Sequence, residues 1–181
     1  MTKTTSRQNG FTLLELLLVI GVAALLLIGG IATYRLVSEG NKATEAQRQL
    51  LTLRQEVQTM AQQQGGNYAG VTFDSTVSNT SSPLVTAGVL RDQQRNAFNG
   101  AIIITPQNAP ANDQISIEFQ NVSQAACIKM MQAINNANEV ISVGTATATY
   151  LAATAGAFPI TAVAASAACN QSVNTITWTL P

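Results

Sequence analysis

The sequence predicts an α+β protein: a long N-terminal α-helical stem packed against an antiparallel β-sheet head, with a disulfide-bounded C-terminal region. Three observations carry that reading. An apolar run from Leu16 to Ala32 passes, with no proline, into a helical seam that continues to Met60. Period-two alternation then marks two strands, at Ile115, Ile117 and Phe119 and at Ile176, Trp178 and Leu180. Two cysteines, Cys127 and Cys169, bracket most of the chain between those strands.

The first element begins after a short polar leader carrying Lys3 and Arg7. Gly10-Phe11-Thr12-Leu13-Leu14-Glu15 opens the apolar segment, and Glu15 is its only charge as far as Tyr34. A bilayer-spanning helix needs about 20 apolar residues, so the segment is long enough to span. A charge inside such a helix costs about 2.5–3.5 kcal/mol on insertion scales. A plain anchor gains by losing it, so Glu15 calls for a partner. The run is too long for a cleaved secretory signal, whose apolar core is about 7–15 residues. A signal anchor accounts for the basic leader through the positive-inside rule, but not for Glu15 or the Gly-Phe junction. Gly21, Gly29 and Gly30 interrupt the run. They read equally well as close-contact points between helices or as a place where the helix bends or melts.

Beyond the apolar run the helical pattern persists while the composition turns polar. Ala43, Ala46, Leu50, Leu53, Val57 and Met60 form a narrow seam at 3-4 spacing. Glu45 and Arg48 stand one turn apart, where a weak pair is expected. Gly65-Gly66-Asn67 ends the pattern, so one helix is expected from Phe11 to about Gln63.

The remainder reads as the head. A Ser/Thr/Asn-rich loop runs from Asn67 to Pro83, and Leu84 to Leu90 suggests a short helix or turn. Ala101 to Thr105 is a further strand candidate. Ser123 stands as an N-cap before an amphipathic helix carrying Cys127, Met130, Met131 and Ile134. Thr145 to Ala168 is alanine- and threonine-rich and uncharged. It reads either as a packing or binding surface or as a low-complexity loop.

Composition narrows the function. Nine basic and nine acidic residues cancel, and without Lys3 and Arg7 the balance turns slightly acidic. No basic tract marks a nucleic-acid footprint. The chain contains no histidine, which removes the commonest general base and metal ligand. Asp74, Asp92, Asp113, Glu118 and Glu139 are scattered, without paired spacing or a nucleophile-base set. No enzyme, metal or cofactor is expected. Cys127 and Cys169 lie too far apart for a short metal motif. In an exported chain a disulfide is the expectation, and two buried free thiols are the alternative.

The leader, the Gly-Phe junction, the position of Glu15 and the length of the apolar run together resemble the N-terminus of type IV pilins. The resemblance implies cleavage between Gly10 and Phe11 by a prepilin peptidase, with N-methylation of Phe11. It places Glu15 fifth in the processed chain, as the assembly carboxylate that attracts the N-terminal amine of a neighbouring subunit. Opposite charges 4 Å apart attract by about 4 kcal/mol at an effective dielectric near 20, enough to offset much of the cost of an apolar setting. Ser123-Gln124-Ala125-Ala126-Cys127 and Asn96-x-Phe98-x-Gly100 resemble segments of the type IVb class. Ala32 stands where many pilins of the first class have proline, while the ten-residue leader and Phe11 look more like that first class.

The implied organisation is a leader over residues 1–10, a transmembrane and assembly helix over 11–36, an amphipathic continuation over 37–64 and a globular head over 65–181. The implied partners are the prepilin peptidase, the inner-membrane assembly machinery, the membrane before assembly, and further copies of the chain in a helical homopolymer. The precursor is expected in the bacterial inner membrane and the product in an extracellular pilus. A pseudopilin of a secretion system, sharing leader, cleavage and Glu15, is the alternative; the tail from Asn170 to Pro181 lacks the acidic residues a calcium site needs. A membrane-anchored globular domain is the remote one.

Overall fold

The computed structural model describes residues 12–133, 140–144, 150–151 and 160–181. Its contacts divide the chain into two compact units, one ending at Ser38 and one from Glu39 to Pro181. Helix α1, Leu13–Gln63, contributes to both.

In the first unit the segment Leu13–Ile31 has a mean hydropathy of 2.6, and none of it is buried within the chain. By length and composition it suffices to cross a membrane. Thr33 Oγ1 donates to the carbonyls of Gly29 and Gly30, at 3.1 and 3.0 Å.

In the second unit α1 buries the seam its sequence announces: Ala43, Ala46, Leu50, Leu53 and Val57. The last turn departs from expectation. Ala61 is buried and Met60 only partly so, because a helix of 3.6 residues per turn drifts away from a 3.5-residue stripe. Termination follows from the glycine pair. Gly65 and Gly66 adopt φ of 77° and 91°, and their N–H groups donate to the carbonyls of Gln62 and Ala61. That is the Schellman pattern, which satisfies carbonyls the helix leaves unpaired.

Among the described residues the sheet has six antiparallel strands: β1 (Phe73–Asp74), β2 (Ile102–Gln107), β3 (Gln114–Ser123), β4 (Val140–Val143), β5 (Tyr150–Leu151) and β6 (Val173–Leu180). Their spatial order is β1-β2-β3-β6-β4-β5, so the last strand of the chain sits inside the sheet. β3 and β6 bury alternate residues, as their period-two pattern requires. Ile115, Ile117 and Phe119 of β3 and Ile176, Trp178 and Leu180 of β6 share one core with the α1 seam. Phe119 and Trp178 meet edge to face, centroids 5.5 Å apart and planes at 81°, an arrangement favoured by the aromatic quadrupole.

Three short helices lie among the described residues of the head: α2 (Pro83–Thr86), α3 (Gln124–Ala133) and α4 (Ala162–Ala168). α4 corrects the loop reading of the Ala/Thr-rich stretch over its last residues. Thr161 Oγ1 accepts from the Ala164 N–H, and alanine is the best helix former, so a capped helix forms there without charged residues. Most of the rest of that stretch, with Ile134 of the expected α3 pattern, lies outside the described residues.

Candidate functional site

Of the residues the sequence singles out at the N-terminus, Gly10 and Phe11 lie outside the described residues. Glu15 lies in the first turn of α1, where a carboxylate complements the helix dipole. Its N–H donates to Thr12 Oγ1 at 3.3 Å, and the Thr12 carbonyl accepts from Leu16 N–H at 3.1 Å. Thr12 therefore caps the helix that carries Glu15. The Thr-x-x-Glu spacing is the capping-box signature, so this role was readable in the sequence and was missed. Leu13, Leu14, Leu16 and Leu17 around it are all exposed, so Glu15 stands among apolar side chains of its own helix.

Cys127 and Cys169 form a disulfide, Cα atoms 5.9 Å apart. Both cysteines are fully buried. The bridge joins α3 to the residue that ends α4, with Met131 Sδ packed 3.6 Å from Cys169 Sγ.

The Asn96-x-Phe98-x-Gly100 segment is a buried hydrogen-bonded knot. Asn96 Oδ1 accepts from the N–H groups of Phe98 and Gly100, both at 2.9 Å. Its Nδ2 donates to the Gln120 carbonyl at 2.7 Å. Asn121, at φ 61°, answers by donating from Nδ2 to the Phe98 carbonyl at 2.7 Å. These contacts seat the knot on β3 where its register with β6 shifts, between Phe119 and Val122. A Cβ on Gly100 would collide with the Gln120 carbonyl oxygen, so only glycine fits the approach. The motif is thus architectural.

Three side chains make contacts that the sequence does not announce. Ser123 precedes α3 as an N-cap would, but its hydroxyl donates across to Glu39 Oε2 of α1 at 2.6 Å. A hydrogen bond to a carboxylate is charge-assisted and stronger than one to a neutral acceptor. Glu45 and Arg48 do not pair with one another, whereas Glu39 and Lys42 form an ion pair at 3.5 Å. Instead Glu45 and Arg48 line a groove of about 370 Å³ between α1 and the 89–97 loop, together with Arg95. Gln49 Nε2 donates to the Arg95 carbonyl at 3.4 Å, holding that loop to the helix.

Comparison with known proteins accounts for this combination of capped apolar helix and disulfide-closed sheet. The family model described as prokaryotic N-terminal methylation motif matches residues 5–31. The model described as PilS N terminal matches residues 40–181. The chain belongs to the PilS family. The PilS chain is 28% identical over 149 residues to the toxin coregulated pilin of Vibrio cholerae, covering 80% of this chain and 66% of that one. It is 26% identical over 140 residues to the toxin coregulated pilin of Vibrio cholerae serotype O1, covering 75% and 62% respectively. It thus spans just under two thirds of these relatives' length. The crystal structure of TcpA, a type IV pilin from Vibrio cholerae El Tor biotype, superposes with a TM-score of 0.55 at 17% identity, over 78% of this chain and 99% of that one. That likeness shows the fold. Together the matches bear out the resemblance to type IV pilins.

Proposed function

We propose that the chain is a structural subunit of a type IV pilus, acting through assembly rather than catalysis. Residues 1–10 are the leader, 11–36 the membrane and assembly helix, 37–64 its amphipathic continuation and 65–181 the head. The precursor sits in the bacterial inner membrane, where a prepilin peptidase cuts between Gly10 and Phe11 and the new N-terminus is methylated. Glu15 then attracts the amine of a neighbouring copy, and the inner-membrane assembly machinery draws the subunit into a helical filament. Stems bundle in the core, stabilised by roughly 25 cal/mol per Å² of apolar surface buried. Heads face outward, and the filament serves adhesion, aggregation or conjugative contact.

One observation carries the reading: a lone carboxylate, Glu15, on a capped first turn inside an exposed apolar helix, within the stretch that matches the methylation motif. The test is the intact mass of protein sheared from cells, with Glu15→Ala beside the native chain. The native chain is expected to start at Phe11 with one added methyl group and to be recovered from the surface. Glu15→Ala is expected to be cleaved alike but to stay in the membrane. Surface filaments at native abundance from Glu15→Ala would overturn the pairing, and an uncleaved native chain would overturn the pilus reading.

A further inference from the structure

Among the described side chains of α1, the first that is buried is Ala43. The turn before it, from Glu39 to Lys42, contributes no buried side chain, yet it is held to the head. Ser123 Oγ donates to Glu39 Oε2 at 2.6 Å across 84 positions of sequence. Lys42 Nζ lies 3.5 Å from Glu39 Oε1. From α3, Lys129 Nζ comes so close to Gly40 that a Cβ there would meet it at 3.8 Å. Among the described residues, the charged group beside the Glu39 carboxylate is Lys42 on its own helix, with the Ser123 hydroxyl at the β3–α3 corner, while Lys129 of α3 faces Gly40.

We infer that Glu39 and Ser123 form a polar latch that holds the 39–42 turn of α1 on the β3–α3 corner, making Glu39 the first side chain of the second unit through which the head grips the helix. Apolar burial cannot supply that grip, because this turn offers no apolar side chain larger than the absent one of Gly40. A hydrogen bond to a charged group supplies it instead, stronger than a neutral one. In the pilus reading, on which the consequence rests, a subunit pulled by its stem transmits that load to the head first through this contact. Glu39 is then a positioning residue that sets how much of α1 is free to enter the filament core.

The latch also has a pH dependence. The Ser123 hydroxyl holds the Glu39 carboxyl below its ordinary value of 4.5, with Lys42 assisting and burial opposing. A lowered native value means the grip is complete above pH 4.5 and is lost as pH falls through the lowered value.

The experiment measures the distance between nitroxides at the exposed positions Asn41 and Gln124, by double electron–electron resonance on the full chain in detergent micelles. The native background is expected to give one narrow distribution. Glu39→Ala and Ser123→Ala should each broaden it about twofold, the double variant no further, and Ser123→Thr should restore it. Acidification should broaden the native distribution at lower pH than an ordinary carboxylate requires. Glu39→Gln, which keeps the shape and drops the charge, decides the matter if an alanine variant loses its cooperative melting. Narrow distributions in both single variants, or broadening in the double variant equal to the sum of the singles, would overturn the latch. The distance reading needs no filament, so a chain that fails to assemble counts against the pilus reading alone.

Discussion

The two halves of α1 solve opposite problems with one backbone. From Leu13 to Ile31 the side chains are almost all apolar and all are exposed. From Glu39 to Gln63 most side chains are polar, yet Ala43, Ala46, Leu50, Leu53, Val57 and Ala61 vanish into the core. The more apolar half is the unburied one. Burial within a chain needs a stripe matched to a partner surface, and an all-round apolar helix has no single face to offer. Such a helix is made for surroundings that are apolar on every side, whether a bilayer or a bundle of like helices.

That contrast can be broken most strongly at the disulfide. Replacing Cys127 and Cys169 with serine should cost the head about 4 kcal/mol, from the loop the bridge closes. The helix over Leu13–Ile31 should persist. Denaturation followed by tryptophan fluorescence at Trp178 reads the first effect, and residual helical circular dichroism above the midpoint reads the second. An unchanged midpoint would show that the bridge adds no stability.

A smaller effect sharpens the same contrast within α1. Leu53→Ala should lower the head's stability by about 3 kcal/mol, combining lost transfer energy with a cavity. Leu17→Ala, the same chemistry in the exposed half, should leave the head's melting unchanged. Equal losses at the two positions would mean that the apolar half also draws its stability from the head.

The smallest expected change is at the cap. Thr12→Val keeps the shape and removes the oxygen that accepts from Glu15 N–H, at a cost of about 1 kcal/mol to the first turn. Faster amide exchange at Leu13 to Leu16, with head amides unchanged, checks it. Native protection at those amides would assign the first turn's stability to the surroundings of the helix instead.

Much of this was legible because it is local and periodic. The seam of α1, the alternation of β3 and β6 and the glycine stop at Gly65-Gly66 each repeat within a few residues, and the backbone imposes those periods directly. The Gly10-Phe11 junction and Glu15 were singled out for the same reason, as an interruption of a uniform run. Less visible were elements too short or too plain to show a period. β1 and β5 have two residues each, and α4 is almost pure alanine.

By itself, the sequence determined a long helix with an apolar half and a striped half, a sheet-bearing head, and a single carboxylate set near the start of the apolar half. Only the tertiary structure decided which groups meet. It inserted β6 between β3 and β4, seated the Asn96 knot on the β3 bulge, and brought the Ser123 hydroxyl to Glu39. The physical reason is one of range. Periodicity and capping are settled among neighbours in sequence, whereas strand order and the partner of a hydroxyl depend on the least costly satisfaction of all buried polar groups at once. No local pattern encodes that sum.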